Sequence, residues 1–159
     1  MIRIRIGSSW RHDPDTRAAL RGPGGGAPGP RAPDPVDALA FEVDGVDIGA
    51  GHTEGALVPS LESLLRGVAA LVAGEPQASV SFREGAVELV LRRRGPSALL
   101  TVVALERPAR LLARDVEVEL DALAAAALRA AADLFRDLEA ALPASARSDP
   151  ARRLRRAVL

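Results

Sequence analysis

Few residues in this chain have the types and spacing needed for metal, nucleophilic or acid–base chemistry. The two histidines, His12 and His52, bind a metal only if the fold joins them and adds a carboxylate. Glu117 and Glu119 could form a catalytic carboxylate pair, but acids that alternate along a predicted strand are typical of a solvated face. No Gly-x-Ser-x-Gly sequence, which is typical of serine hydrolases, surrounds Ser8, Ser9, Ser60 or Ser63. The sequence therefore predicts no catalytic residue and no metal ligand.

The segment 46–55 contains the one arrangement that suggests a cofactor. Its acidic residue and Gly-x-Gly loop resemble the first motif of class I methyltransferases, and the resemblance implies that Asp47, Gly49 and Gly51 line S-adenosylmethionine. Three observations favour a plain loop. Asp44-Gly45 bends the preceding strand back, no strand–helix crossover follows the next helix, and fewer than 110 residues remain after Gly51. We therefore expect no cofactor.

Two arginine-rich stretches could contact a partner. The run 92–94 lies at a predicted hairpin end, where charges are typical of a solvated turn. In segment 149–159, Asp149 can cap a helix, Pro150 fits its first turn, and a narrow apolar stripe runs beside four arginines. This segment either docks on a partner or forms a frayed tail, and its removal is expected to leave the fold intact. The candidate partner-binding residues are Arg152, Arg153, Leu154, Arg155 and Arg156.

Composition excludes several classes of protein. The chain has no Cys, so it can form no disulfide, thiolate nucleophile or Cys-based zinc site. All 21 basic side chains are arginine, which we attribute to GC-rich coding. The N-terminus lacks the apolar stretch of a signal peptide, and no run approaches the roughly 18 apolar residues of a membrane span. The sequence thus predicts a soluble cytoplasmic protein that does not bind membranes.

Charge is unevenly distributed along a chain of zero net charge. Residues 1–36 carry +3, residues 37–142 carry −7 and residues 143–159 carry +4. An acidic domain with basic ends lacks the clustered positive surface that neutralises phosphates. No nucleic-acid partner is expected.

The spacing of apolar residues predicts the elements. Asp44-Gly45 between apolar stretches indicates a hairpin, because type I′ turns require positive φ at both central residues. Helical spacing follows over residues 57–72, with Pro59 in the first turn and Gly74 at the C-terminal cap. A meander comes next, and its continuously apolar segment 98–105 predicts a central strand covered on both faces. Asp121 is expected to cap the second helix.

The sequence therefore predicts an α+β fold: a mainly antiparallel sheet of an N-terminal strand, a hairpin and a three- to four-strand meander, with two amphipathic helices. The expected segments are an N-terminal strand in 1–11, a Pro/Gly-rich flexible loop in 12–36, a single α+β domain in 37–142 and an Arg-rich tail in 143–159 that could form a short helix. This element order resembles that of profilin-like and longin-like domains. The resemblance is in element order alone and implies nothing about function.

The apolar residues have regular helix and strand spacing, and the loops carry no predicted catalytic residues. Together these observations favour a non-enzymatic interaction, assembly or adaptor domain. It would act through a sheet face or edge and the C-terminal segment, on a protein partner or a second copy. Two alternatives remain open at this point. They are a small-ligand-binding module and a methyltransferase-like enzyme that uses the Gly49-Ala50-Gly51 loop.

Overall fold

The computed structural model describes residues 1–13 and 34–158, and most of the loop predicted for residues 12–36 lies outside them. The architecture is α+β, with two four-stranded antiparallel sheets and three helices. This confirms the predicted fold class. The strands that the sequence placed in one sheet form two hydrogen-bonded sheets.

The first sheet is built around one long strand, β2 (Val36–Val43). On one edge β2 pairs with β1 (Ile2–Ile6), and on the other it pairs with β3 (Val46–Asp47) and β4 (Glu54–Ala56). The predicted hairpin is present, because Asp44 and Gly45 have φ of 50° and 83° and join the paired residues Val43 and Val46.

The second sheet is the predicted meander. Its strands are β5 (Gln77–Phe82), β6 (Val87–Arg94), β7 (Ser97–Ala104) and β8 (Arg110–Glu119), hydrogen-bonded in that order. Phe41 of the first sheet meets Phe82 of the second edge-to-face, with ring centroids 5.9 Å apart. This buried aromatic pair joins the two sheets in one core.

Helix α1 (Leu57–Val72) has the predicted bounds and termini. Its apolar face is buried against β5 and β6, and Pro59 lies in its first turn. At its end Gly74 takes φ of 111°, its N–H donates to the Leu71 carbonyl, and the Glu75 N–H donates to the Ala70 carbonyl. This is a Schellman motif, in which glycine is favoured because L side chains are strained at positive φ.

Helix α2 (Leu120–Ala141) continues directly from β8, and this continuity overturns the predicted cap. Glu119 occupies the N-cap position without a side-chain hydrogen bond, and the Leu120 N–H donates to the Pro96 carbonyl across the sheet. Asp121 therefore lies in the first turn, where its charge still favours the positive end of the helix dipole.

A third helix, α3 (Asp149–Val158), follows a single helical turn at Pro143–Ala146. It packs against α1 and α2, which themselves contact the sheets, and we call these three helices the helical layer. Ala151 and Leu154 are fully buried there. The C-terminal segment thus contributes to the core, and we no longer expect its removal to leave the fold intact.

The residues that the structure describes cover strand β7 on one face only, which corrects the expectation that both faces are covered. Its inward residues Ala98, Leu100, Val102 and Ala104 have no exposed area. The alternate residues Leu99, Thr101 and Val103 are half-buried, because the helical layer lies on the other side. No helix of the described residues is long and apolar enough to cross a membrane.

Candidate functional site

The Gly49-Ala50-Gly51 loop is shaped by its own aspartate. The Asp47 carboxylate accepts hydrogen bonds from the N–H groups of Gly49 at 3.0 Å and Gly51 at 2.9 Å. Every strand pair in residues 1–13 and 34–158 is antiparallel, whereas the methyltransferase resemblance requires a parallel sheet. The arrangement of Asp47, Gly49 and Gly51 is therefore that of a connecting loop between β3 and β4.

The candidate residues of the C-terminal segment divide into one buried and four exposed side chains. Leu154 is 0% exposed within the helical layer, so its proposed contact with a partner is corrected to a contact within the chain. Arg153 donates to Glu62 of α1 at 3.0 Å, and Arg155 lies over the Phe135 ring at 5.1 Å. Arg152 lies 3.9 Å from Asp149. Only the outer sides of these arginines, together with Arg156, are open to a partner.

The arginine run 92–94 at the end of β6 forms ion pairs with carboxylates of β8, on the far side of β7. Arg92 donates to Asp115 at 2.5 Å, and Arg94 lies 3.5 Å from Glu117. The hydrogen bond from Arg92 is the main reason that the pKa of Asp115 lies below its ordinary value of 3.8, and Thr101 and Arg114 add to the effect. Glu117 and Glu119 are exposed, as a solvated strand face requires.

One buried carboxylate, Asp37, has a structural role. It accepts hydrogen bonds from the Ser9 hydroxyl at 2.6 Å, the Trp10 N–H at 3.1 Å and the Ala38 N–H at 2.8 Å. Burial raises the pKa of Asp37, but these hydrogen bonds outweigh it together and hold the pKa below 3.8. The ionised carboxylate thereby ties the turn Ser9–His12 to β2.

The two histidines are not brought together as a metal site. His12 ends the turn after β1, and the described residues contain no group of three or more potential His, Asp or Glu ligands. His52 has a different neighbourhood. Its Nδ1 lies 3.2 Å from Nη1 of Arg83, and its Nε2 lies 3.4 Å from Nη2 of Arg110. We call these three residues the basic loop cluster.

Three separate connections supply the basic loop cluster. His52 lies between β3 and β4, Arg83 in the turn between β5 and β6, and Arg110 at the first position of β8. No local sequence pattern predicts this cluster, because Arg83 and Arg110 are 31 and 58 positions from His52. The one signal in the sequence is weak: each member lies within two positions of a glycine or a proline.

Backbone strain is concentrated beside the basic loop cluster. Arg83 and Glu84 have φ of 49° and 55°, a region that non-glycine residues rarely adopt, and Ala50 in the His52 loop has φ of 47°. Arg83 also lines a groove of about 610 Å³ formed by β4, the start of α1 and the end of β5. Strained residues of this kind occur preferentially at binding sites.

A second candidate surface is the outer face of the β5–β8 sheet. Leu99 and Val103 of β7 and Val90 of β6 are half-buried on it, and Leu111 of β8 is 51% exposed. Val103 is paired with Leu111, so these apolar side chains are neighbours. The Arg92–Asp115 ion pair lies on the same face and borders Val90 and Leu111, and the ion pair of Arg94 lies farther toward the end of β6.

A comparison of this chain with known protein families, curated proteins and solved structures found no match.

Proposed function

We propose that the protein is a non-enzymatic interaction domain that self-associates through the outer face of the β5–β8 sheet. One observation carries this proposal. Strand β7 has the continuously apolar sequence of a strand buried on both faces, yet the described chain covers only one of them. A second protein surface would complete its burial.

The apolar end of this face is the proposed contact centre. Val90, Val103 and Leu111 come from three adjacent strands, and Leu111 retains half of its accessible surface. Burying such side chains is favourable in proportion to the apolar area removed from water. Exposed apolar side chains that are contiguous, rather than scattered, are typical of association surfaces.

A second copy is the occupant that the charges favour. Arg92 and Arg94 are already paired with Asp115 and Glu117, so the face has little net charge to attract a strongly acidic or basic partner. A two-fold axis would bring the same apolar patch from each copy together and place the ion pairs at the rim. Rim charges of this kind add specificity more than affinity.

Light scattering coupled to size-exclusion chromatography tests this proposal. The wild type should elute with twice the monomer mass, and Leu111→Glu should shift it toward the monomer because a carboxylate replaces an apolar contact. Leu128→Glu is the matched control, since Leu128 is 39% exposed on the helical layer. Its mass should equal that of the wild type.

A wild type that remains monomeric at every concentration reached would contradict self-association through this face. So would a dimer that Leu111→Glu leaves intact or that Leu128→Glu dissociates. Circular dichroism of each variant separates loss of association from loss of fold, and Val90→Glu provides a second substitution within the same patch.

A further inference from the structure

We propose that the basic loop cluster of His52, Arg83 and Arg110 binds a tetrahedral oxyanion of the phosphate type. This site lies in the loops between strands, and the proposal does not depend on self-association through the β5–β8 face. It rests on the hydrogen-bonding capacity of the three groups, on the lack of a counter-charge and on the way the fold holds them.

The three side chains cannot satisfy one another. A guanidinium group only donates hydrogen bonds, and a neutral imidazole has a single acceptor nitrogen. One of the two contacts, at 3.2 Å to Arg83 or 3.4 Å to Arg110, can therefore be a hydrogen bond at any time. The other places a donor against a donor. A protonated imidazole accepts neither, so at least one of the two contacts lacks an acceptor in either protonation state.

The cluster also lacks a counter-charge. Within the part of the chain that the structure describes, neither Arg83 nor Arg110 has a carboxylate within 4.0 Å. Glu54 and Glu84 line the same groove as Arg83 and form no ion pair with it. An anion that contacts both arginines from the His52 side would supply the missing charge and the missing acceptor atoms.

The fold holds two of the three groups on rigid elements. Arg83 follows Phe82, which is 1% exposed at the end of β5, and its left-handed backbone is fixed by the hydrogen bond from the Ala86 N–H to its carbonyl. Arg110 is paired with Ala104 of β7. The His52 N–H donates to the Gly49 carbonyl at 2.8 Å, which closes the third loop. Binding an anion therefore requires ordering of side chains more than of backbone.

A tetrahedral oxyanion fits this arrangement better than a single carboxylate. Two guanidinium groups from different elements each present several donors beside His52. A phosphate group offers several acceptor oxygens, whereas one carboxylate is satisfied by one bidentate guanidinium. The adjacent groove of about 610 Å³ gives room for the organic part of a phosphate monoester. The ligand class is thus a phosphate or a phosphate monoester.

Titration with inorganic phosphate, followed by NMR of the histidine ring protons, tests this assignment at constant pH and ionic strength. The chain has two histidines, so in the His12→Gln variant His52 gives the only histidine ring signals. Phosphate should shift this signal saturably. Arg83→Gln and Arg110→Gln should each weaken binding about tenfold or more, as expected for the loss of a charge-assisted hydrogen bond.

Arg107→Gln is the matched control, because Arg107 is an exposed arginine of the same β7–β8 connection outside the cluster. It should leave phosphate binding unchanged. A signal that does not saturate, or that chloride shifts equally, would overturn the proposal. The same follows if Arg107→Gln weakens binding as much as Arg83→Gln, or if acetate binds as tightly as phosphate. Backbone amide spectra verify that each variant is folded, and the mass measurements on the β5–β8 face are independent of all these outcomes.

Discussion

The arginines of helix α3 and those of the basic loop cluster are all exposed, but they differ in the side chains that surround them. Arg153 reaches Glu62 of α1 at 3.0 Å, and Arg155 covers the Phe135 ring and approaches Glu139 at 3.9 Å. Arg83 and Arg110 instead face a histidine, with no ion pair in the described residues. Arg153 and Arg155 thus contact side chains of their own chain, whereas Arg83 and Arg110 remain available to a ligand.

This difference shows that a run of charges in a sequence is a poor guide to a binding site. The four arginines of the C-terminal segment attract attention because they are close in sequence, yet two of them, Arg153 and Arg155, contact side chains of neighbouring helices. Arg83 and Arg110 are inconspicuous in the sequence, and only the packing of the second sheet against the first brings them to His52. Convergence in space, without a counter-charge, is the more informative property.

The largest expected effect tests whether α3 is part of the folded core. Leu154→Ala should reduce the free energy of unfolding by about 2 to 5 kcal/mol, because it leaves a cavity between three helices. Removal of the chain after Ser148 should cost at least as much, since Ala151 is lost as well. Denaturant titration measures both. Arg156→Ala is the control and should change stability by less than about 0.5 kcal/mol. Equal losses for Leu154→Ala and Arg156→Ala would show that α3 is not part of the core.

An intermediate effect is expected for Asp37, a carboxylate whose partners all belong to its own chain. Asp37→Asn should cost about 1 to 3 kcal/mol, because donors from Ser9, Trp10 and Ala38 converge on the ionised group. The pKa of Asp37 is lower in the folded protein than its ordinary value of 3.8. Its contribution is therefore fully present above about pH 3.8 and lost as the pH falls through the lowered pKa.

Denaturation at several pH values tests that sign. The stability difference between wild type and Asp37→Asn should be constant near neutral pH and shrink in acid. Asp115→Asn is the comparison. The pKa of Asp115 is lowered as well, in this case by Arg92, but the carboxylate is exposed and solvent screens its interactions. A larger loss at Asp115 than at Asp37 would mean that the buried network is not formed.

The smallest effects separate the two groups of arginines directly. A double-mutant cycle on Glu62 and Arg153 should give a coupling of about 0.2 to 1 kcal/mol, the usual range for an exposed ion pair. Arg83→Gln and Arg110→Gln should not lower the stability of the ligand-free protein, because neither arginine forms an ion pair with the residues that the structure describes. A loss at Arg83 that matches the loss at Arg153 would reveal a partner within the chain and weaken the case for an anion.

Local sequence patterns predict most of the helices and strands but little of the basic loop cluster. Leu61, Leu64 and Val68 recur at helical spacing, and Asp44-Gly45 requires the turn that it forms, so α1 and the first hairpin follow from neighbouring residues alone. The burial of Leu154 does not, because its apolar stripe is compatible with any complementary groove and the groove is formed by two other helices. The basic loop cluster depends on three connections at once, which no local pattern encodes.

The pairing of β1 with β2 fixes the number of residues in the first strand. Ile2 and Ile4 are buried in register with Val43 and Phe41. One residue added within β1 would turn its isoleucines outward and its arginines into the core. The turn that follows is held as well, because Trp10 within it is buried. A strand of five residues at this terminus is therefore held to a fixed count.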